Sequence, residues 1–197
     1  MPTATLHSRN LAFKLRTLDD AAPTKLHGHY KKLAEKLATL DADEAALADE
    51  LAGLAEREQP VTSVEKDALR LRKIANLDRR LSLLPEIAEF ADACIEATAT
   101  LRSTQDESSV AERVAEKLRS IGYEVRRSDT NPAVWVGSAN ITNGMVRQHP
   151  DFVAMHERLA SLLVQQRGWV TLKQQVREAG HELDEEATAE RRRMASL

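Results

Sequence analysis

PTKLHGHYKKLAEKLATLDADEAALADELAGLAERE, residues 23–58, is the stretch on which the fold turns. Leucines recur at every seventh position, Leu26, Leu33, Leu40, Leu47 and Leu54, and Tyr30, Leu37 and Leu51 fall at the intermediate spacing. Apolar groups so placed lie along one stripe of an α-helix and form a heptad seam that needs a partner. The intermediate position between Leu40 and Leu47 is held by Glu44. With Asp41 it has the spacing of a capping box, so a break or kink in the seam is expected there.

The partner follows directly. Gln59-Pro60-Val61-Thr62 ends the first helix, because proline disfavours helical geometry in the residue before it, and Thr62 with Glu65 can cap a new N-terminus. The next apolar stripe is Ile74, Leu77, Leu81, Leu84, Ala88, Ala91 and Ile95, alternating three and four residues as a facing seam should. Pro85 interrupts it, and Ser82 makes a restart at Pro85 the expectation, since proline is tolerated in a first helical turn. Folding the chain back about residue 60 aligns Leu47 with Ile74, Leu40 with Leu81, Leu33 with Ala88 and Leu26 with Ile95. The breaks near Asp41 and Pro85 then fall at nearly the same height and predict a shared hinge.

Charge supplies a second signal for direction. Residues 1–36 carry 7 basic and 3 acidic groups, 37–59 carry 1 and 7, 60–81 carry 6 and 3, and 82–112 carry 1 and 7. An antiparallel hairpin sets each acidic block beside a basic one. Exposed pairs contribute only about 0–1 kcal/mol each, so leucine burial stabilises the hairpin and the charges select its orientation. A two-helix hairpin of this length leaves apolar surface uncovered, which predicts packing on a second copy, or else completion of a bundle by the C-terminal helices.

The second half reads as a small α+β unit. Ser109 and Glu112 form a capping box ahead of Val110, Val114 and Leu118, and Gly122 supplies the stop. Tyr123–Ser128 and Ala133–Ser138 read as the two strands of a hairpin, and Asn143-Gly144 as a turn leading to a third short strand. Pro150 opens a helix with Phe152, Met155, Leu159 and Leu162 on one face, and Gly168 is expected to end it. A last helix from Thr171 to about Arg193 carries Leu172, Val176, Ala179 and Leu183, then turns polar and is expected to fray. The fold class is thus mainly α: an N-terminal arm (1–22), a long antiparallel helical hairpin (23–104), and a small α+β domain with a β-hairpin and C-terminal helices (105–197).

Composition agrees. Among 197 residues, 42% are hydrophobic but only 4% aromatic, a balance that suits long helices and argues against an all-β fold. Nowhere do 18 apolar residues run together, no secretory leader is recognisable, and Cys94 is the one cysteine, so a cytoplasmic protein without membrane contact is expected. A net charge of −3 gives no global attraction to nucleic acid.

Motifs for chemistry are sparse. Val134–Asn140 resembles the Gly-Ser-x-Asn end of a phospholipase D superfamily motif, which would imply phosphodiester chemistry. The histidine and lysine that such a motif needs upstream are absent from 120–133, and a strand ending in a turn is the reading kept. Thr171–Gly180 resembles the first helix and turn of lac-repressor-type helix-turn-helix domains. Four carboxylates in His181–Glu186 would meet DNA phosphates at the front of the recognition helix, so a plain helix is the reading kept there too.

His27 and His29 fall on different helix faces, while His149 and His156 flank a helix start; all four are read as surface or capping groups, with no metal and no cofactor expected. Cys94 sits in an apolar sector with Ile87, Phe90, Ala91 and Ile95 and reads as a packed thiol. No glycine-rich phosphate loop occurs, and no catalytic residue is assigned.

Two functional expectations remain. The first is a non-enzymatic protein-interaction or assembly adaptor, self-associating through the seam residues Leu26, Leu33, Leu37, Leu40, Leu47, Leu51, Leu54, Ile74, Leu77, Leu81, Leu84 and Ile95. The second is a nucleic-acid-binding accessory protein, of phage or mobile-element type by analogy with compact helical accessory proteins. Its contacts would be Arg113, Lys117, Arg119, Arg126 and Arg127, with Trp135 or Tyr123 for stacking; residues 113–128 hold 5 basic and 2 acidic groups.

Overall fold

The computed structural model describes residues 6–55, 62–105, 107–131, 134–137 and 142–195. Helices α1 (Leu6–Arg16), α2 (His27–Ala55), α3 (Ser63–Ser103) and α4 (Glu107–Ser120) are followed by strands β1 (Val125–Arg127) and β2 (Trp135–Gly137), then by α5 (Thr142–Gln148) and α6 (Pro150–Ala195). Two compact units result: Met1–Glu96 with Arg167–Leu197, and Ala97–Gln166. The second half of α6, grouped by the sequence with the small α+β segment, therefore joins the hairpin's unit.

In the larger unit, α2 and α3 form the antiparallel hairpin. The break at residues 59–61 lies outside the described residues, but the cap that follows it is formed. The backbone N–H of Thr62 donates to Glu65 Oε2 at 3.1 Å and the backbone N–H of Glu65 to Thr62 Oγ1 at 3.3 Å, which satisfies two donors that a helix start leaves orphaned. The register matches the heptad alignment. That alignment sets Asp41 opposite Arg80, and their carboxylate and guanidinium lie 2.9 Å apart. Lys36 meets Glu86 at 2.6 Å, Asp43 meets Arg79 at 3.6 Å and Glu50 meets Arg72 at 2.6 Å, each one residue from the aligned position.

The expected break in the two helices does not occur. Helices α2 and α3 run without interruption through Asp41 and Pro85. An interior proline costs about 3 kcal/mol or more, but Leu83, Leu84 and Ile87 beside it are all buried, and burying each such side chain returns roughly 1.5–3 kcal/mol. Pro85 itself faces solvent. Asp41 and Glu44 lie inside α2 and bind Arg80 instead of capping.

The end of α6 lies antiparallel on α3. Lys173 reaches Asp92 at 2.6 Å, Lys73 reaches Glu186 at 2.7 Å and Glu190 at 3.0 Å, and Arg191 pairs with Asp78. The stop expected at Gly168 does not occur, for a steric reason. A Cβ on Gly168 would lie 2.7 Å from Leu18 Cδ2, so the glycine makes room for the Leu18 side chain rather than ending a helix. Next to it, Trp169 is fully buried and meets Phe90 edge-on at 5.6 Å. The expected fraying also fails, because Ala187 and Glu190 are buried and α6 continues to Ala195. Helix α1 closes this core with Leu11, Ala12 and Leu15, and the Tyr30 hydroxyl donates to the Leu15 carbonyl at 3.3 Å.

In the smaller unit, α4 starts at Glu107, two residues before the expected cap, and ends in a Schellman motif. Gly122 has φ of 98°, Tyr123 N–H donates to the Leu118 carbonyl at 3.0 Å, and Gly122 N–H donates to that of Arg119 at 3.0 Å. Strands β1 and β2 pair antiparallel, with Val125 opposite Gly137, Arg126 opposite Val136 and Arg127 opposite Trp135. Asn143-Gly144 is no turn to a third strand. It lies in α5, whose Val146 is completely buried beside Val114, Phe152 and Met155, contacts made by a helical turn. Pro150 opens α6 as expected.

Candidate functional site

The seam residues separate into two groups. Leu33, Leu37, Leu40 and Leu47 on α2 and Leu77 and Leu84 on α3 are buried; Leu26, Leu54, Ile74, Leu81 and Ile95 are half-buried. Leu51 departs from the expectation, being 48% exposed. It lies near the hairpin's closed end, where α6 has only five residues left beyond Glu190.

Beside the heptad seam α3 carries a second apolar stripe, which takes in the sector around Cys94 and adds Leu83 to it. Leu83, Ile87, Phe90 and Cys94 are buried beside the seam, and Leu172, Val176, Ala179 and Leu183 of α6 pack into the same core. The signal was present in the width of the α3 apolar face, too broad for one partner helix. The large unit's seam is thus covered within its own chain.

Arg80 is 4% exposed, yet it sits in this seam. Its Nε donates to Asn76 Oδ1 at 3.0 Å and its Nη2 donates at 2.9 Å to both Asp41 Oδ1 and Glu44 Oε2. Asn76 Nδ2 in turn donates to the Leu40 carbonyl at 3.1 Å. A buried guanidinium whose partners all sit at one height fixes the register of α2 on α3, because a slip by one heptad would leave it unpaired. Lys73 does the same for α6. Burial lowers its pKa, but hydrogen bonds to Glu186 and Glu190 outweigh this and the net shift is upward.

One face of the hairpin stays uncovered. On α3, Val64 is 74% and Leu71 57% exposed, with Ala68 and Ala75 exposed at the intervening and following positions. Spacings of four, three and four residues set the four side chains on one stripe. Charges border it: Arg72 is bound to Glu50, and Asp67 lies 3.5 Å from Arg70.

Four of the five cations expected at a nucleic-acid contact pair with carboxylates of the smaller unit. Lys117 pairs with Asp151, Arg119 with Glu112 at 3.1 Å, Arg126 with Asp129 at 3.0 Å and Arg127 with Glu112 at 3.4 Å. Arg119 also donates to the Val125 carbonyl at 2.6 Å. Trp135, expected as a stacking platform, is 5% exposed in the core with the Arg127 guanidinium 4.9 Å from its ring centroid, so no base can reach its face. Arg113 is exposed and has no ion pair or hydrogen bond among the described residues.

Chemistry elsewhere is muted. Burial pushes the Cys94 thiol up to about 12, which suppresses the thiolate a nucleophile needs. His27 lies 3.7 Å from Asp19, and His29 meets Phe90 edge-on at 5.3 Å. The His149 ring nitrogen accepts the Asp151 backbone N–H at 3.2 Å, and the His156 ring lies tilted against that of Phe152 with centroids 4.8 Å apart. Among the described residues no three His, Cys, Asp or Glu side chains converge as metal ligands, and no helix is long and apolar enough to cross a membrane. The Gly-Ser-x-Asn resemblance falls partly on 138–140, outside the described residues. Compared with known proteins, the chain finds no matching family model and no significant match among curated proteins or solved structures.

Proposed function

We propose that the protein is a non-enzymatic interaction module of the cytoplasm whose helical hairpin binds a second copy of the chain. The outer α3 stripe is the contact, in place of the buried seam. The observation that carries this reading is the exposure of Val64 and Leu71, 74% and 57%, at heptad spacing on a helix whose other large apolar groups are mostly covered. Large and small residues alternate along the stripe as Val64, Ala68, Leu71 and Ala75. Two such stripes crossing antiparallel about a two-fold axis set Val64 against Ala75 and Leu71 against Ala68, large into small, which is how helix surfaces interdigitate. Four residues bury little area, so the dimer belongs to the weak, transient class of interfaces.

Sedimentation or light scattering across a hundred-fold range of concentration tests the reading. Dimer at the upper end, abolished by Leu71→Asp with the helical circular dichroism unchanged, supports it. A monomer at every concentration, or a dimer indifferent to Leu71→Asp and Val64→Asp, rejects it.

A further inference from the structure

The smaller unit contains a concavity of about 370 Å³ between α4 and the first turns of α6. Val110 and Met155, both buried, give it an apolar floor. Three basic residues line its walls: Arg113 and Lys117 from successive turns of α4, and Arg158 from α6. Among the described residues Asp151 is the one carboxylate lining it, and it is bound to Lys117. Arg113 and Arg158 line the hollow with no ion pair or hydrogen bond among the described residues, although the Arg113 charge is felt by Asp151.

We propose that this groove binds the phosphoryl group of a small phosphorylated molecule that carries an apolar portion. Among the described lining residues three cations stand against one carboxylate, an excess of positive charge that suits a phosphate dianion. Guanidinium forks suit phosphate oxygens through paired N–H donors. The floor of Val110 and Met155 takes the apolar portion, and the volume lies within the range of small-ligand sites. A single dianion fits better than a polymer backbone. Phosphate tracks need cations in series, and Arg119, Arg126 and Arg127, which would extend one, are already held by Glu112 and Asp129. Asp151 acts as a built-in competitor for Lys117, so its removal strengthens the site.

Calorimetric titration of the full chain with phenyl phosphate, inorganic phosphate, phenol and a twelve-residue oligothymidylate tests this, with circular dichroism confirming the fold of each variant. Phenyl phosphate binds one equivalent and inorganic phosphate competes with it more weakly; phenol does not bind. Arg113→Glu and Arg158→Glu each weaken phenyl phosphate by about ten-fold or more, the loss of one charge-assisted contact, while Asp151→Asn tightens it several-fold. The proposal is overturned if phenyl phosphate shows no saturable binding, if both arginine variants bind as the parent does, or if Asp151→Asn weakens binding. Tighter binding of the oligonucleotide through the same arginines would likewise overturn it, in favour of a nucleic-acid surface.

Discussion

Replacing Arg80 by alanine probes the hairpin at its most informative point. Three side-chain acceptors lose a donor: Asn76 Oδ1 at 3.0 Å and the carboxylates of Asp41 and Glu44 at 2.9 Å. Stranding a fully buried charge would cost about 3–5 kcal/mol, but the side chains of Asp41 and Glu44 are 35% and 39% exposed and regain water once released. The aliphatic stem adds about 0.8 kcal/mol per buried methylene. Together we expect a loss of about 2–4 kcal/mol, or roughly 4–15 °C in Tm. Arg80→Met, which keeps most of the stem, should recover the packing share only. Asp41→Asn or Glu44→Gln alone should cost about 1 kcal/mol or less, since the other carboxylate still pairs. Urea unfolding followed by Trp169 fluorescence in a Trp135→Phe background reads the larger unit selectively. A loss below about 0.5 kcal/mol in Arg80→Ala would refute the argument that this network sets the register.

Three further outcomes follow from the packing. Gly168→Ala would place a methyl group 2.7 Å from Leu18 Cδ2, so the buried Leu18 side chain must turn aside, and stability should fall by about 1 kcal/mol in the same urea assay, although alanine is the better helix former. Thr62→Ala removes the cap of α3 and should cost about 1 kcal/mol, with amide exchange accelerated at the start of that helix. For Cys94 the native state favours the thiol, so an unfolded chain that ionises near 9.0 makes stability fall as pH rises from there to about 12. A Cys94→Ala variant should lack that part of the alkaline loss, and the parent's thiol should stay unreactive to a neutral-pH disulfide reagent until the chain unfolds.

The parts of the fold visible in the sequence were those specified locally and twice over. Leucine spacing and charge blocks both demanded an antiparallel hairpin, and Arg80 beside Asp41 shows the register they set. Thr62 with Glu65, Gly122 and Pro150 announced helix ends through backbone chemistry that operates within a few residues. Pro85, Gly168 and Asn143-Gly144 misled, because each is a breaker only when nothing else holds the helix together. Packing of Leu83, Leu84 and Ile87 overrode the first, close approach of Leu18 explains the second, and burial of Val146 the third. Whether a second copy or the C-terminal helices would cover the seam was left open for a different reason: periodicity reveals an apolar face but not which helix will cover it. At the small unit, the basic cluster was legible as composition. Its pairing to Glu112, Asp129 and Asp151 depends on the fold and was not.

Helix α2 folds back on α3 of the same molecule with residue 40 near the height of residue 81, and the rest of the larger unit depends on that pairing. Thr39 and Ser82 are exposed and border one surface hollow with Leu40 and Leu83, so nitroxide labels placed there in a Cys94→Ala background report that height by pulsed electron resonance. Neighbouring helix axes lie about 8–10 Å apart, and with label tethers the distance should form one narrow population at roughly 15–25 Å, unchanged when labelled protein is diluted into unlabelled. A population beyond about 40 Å, the span of some 27 helical residues, or a short distance that vanishes on dilution, would contradict it.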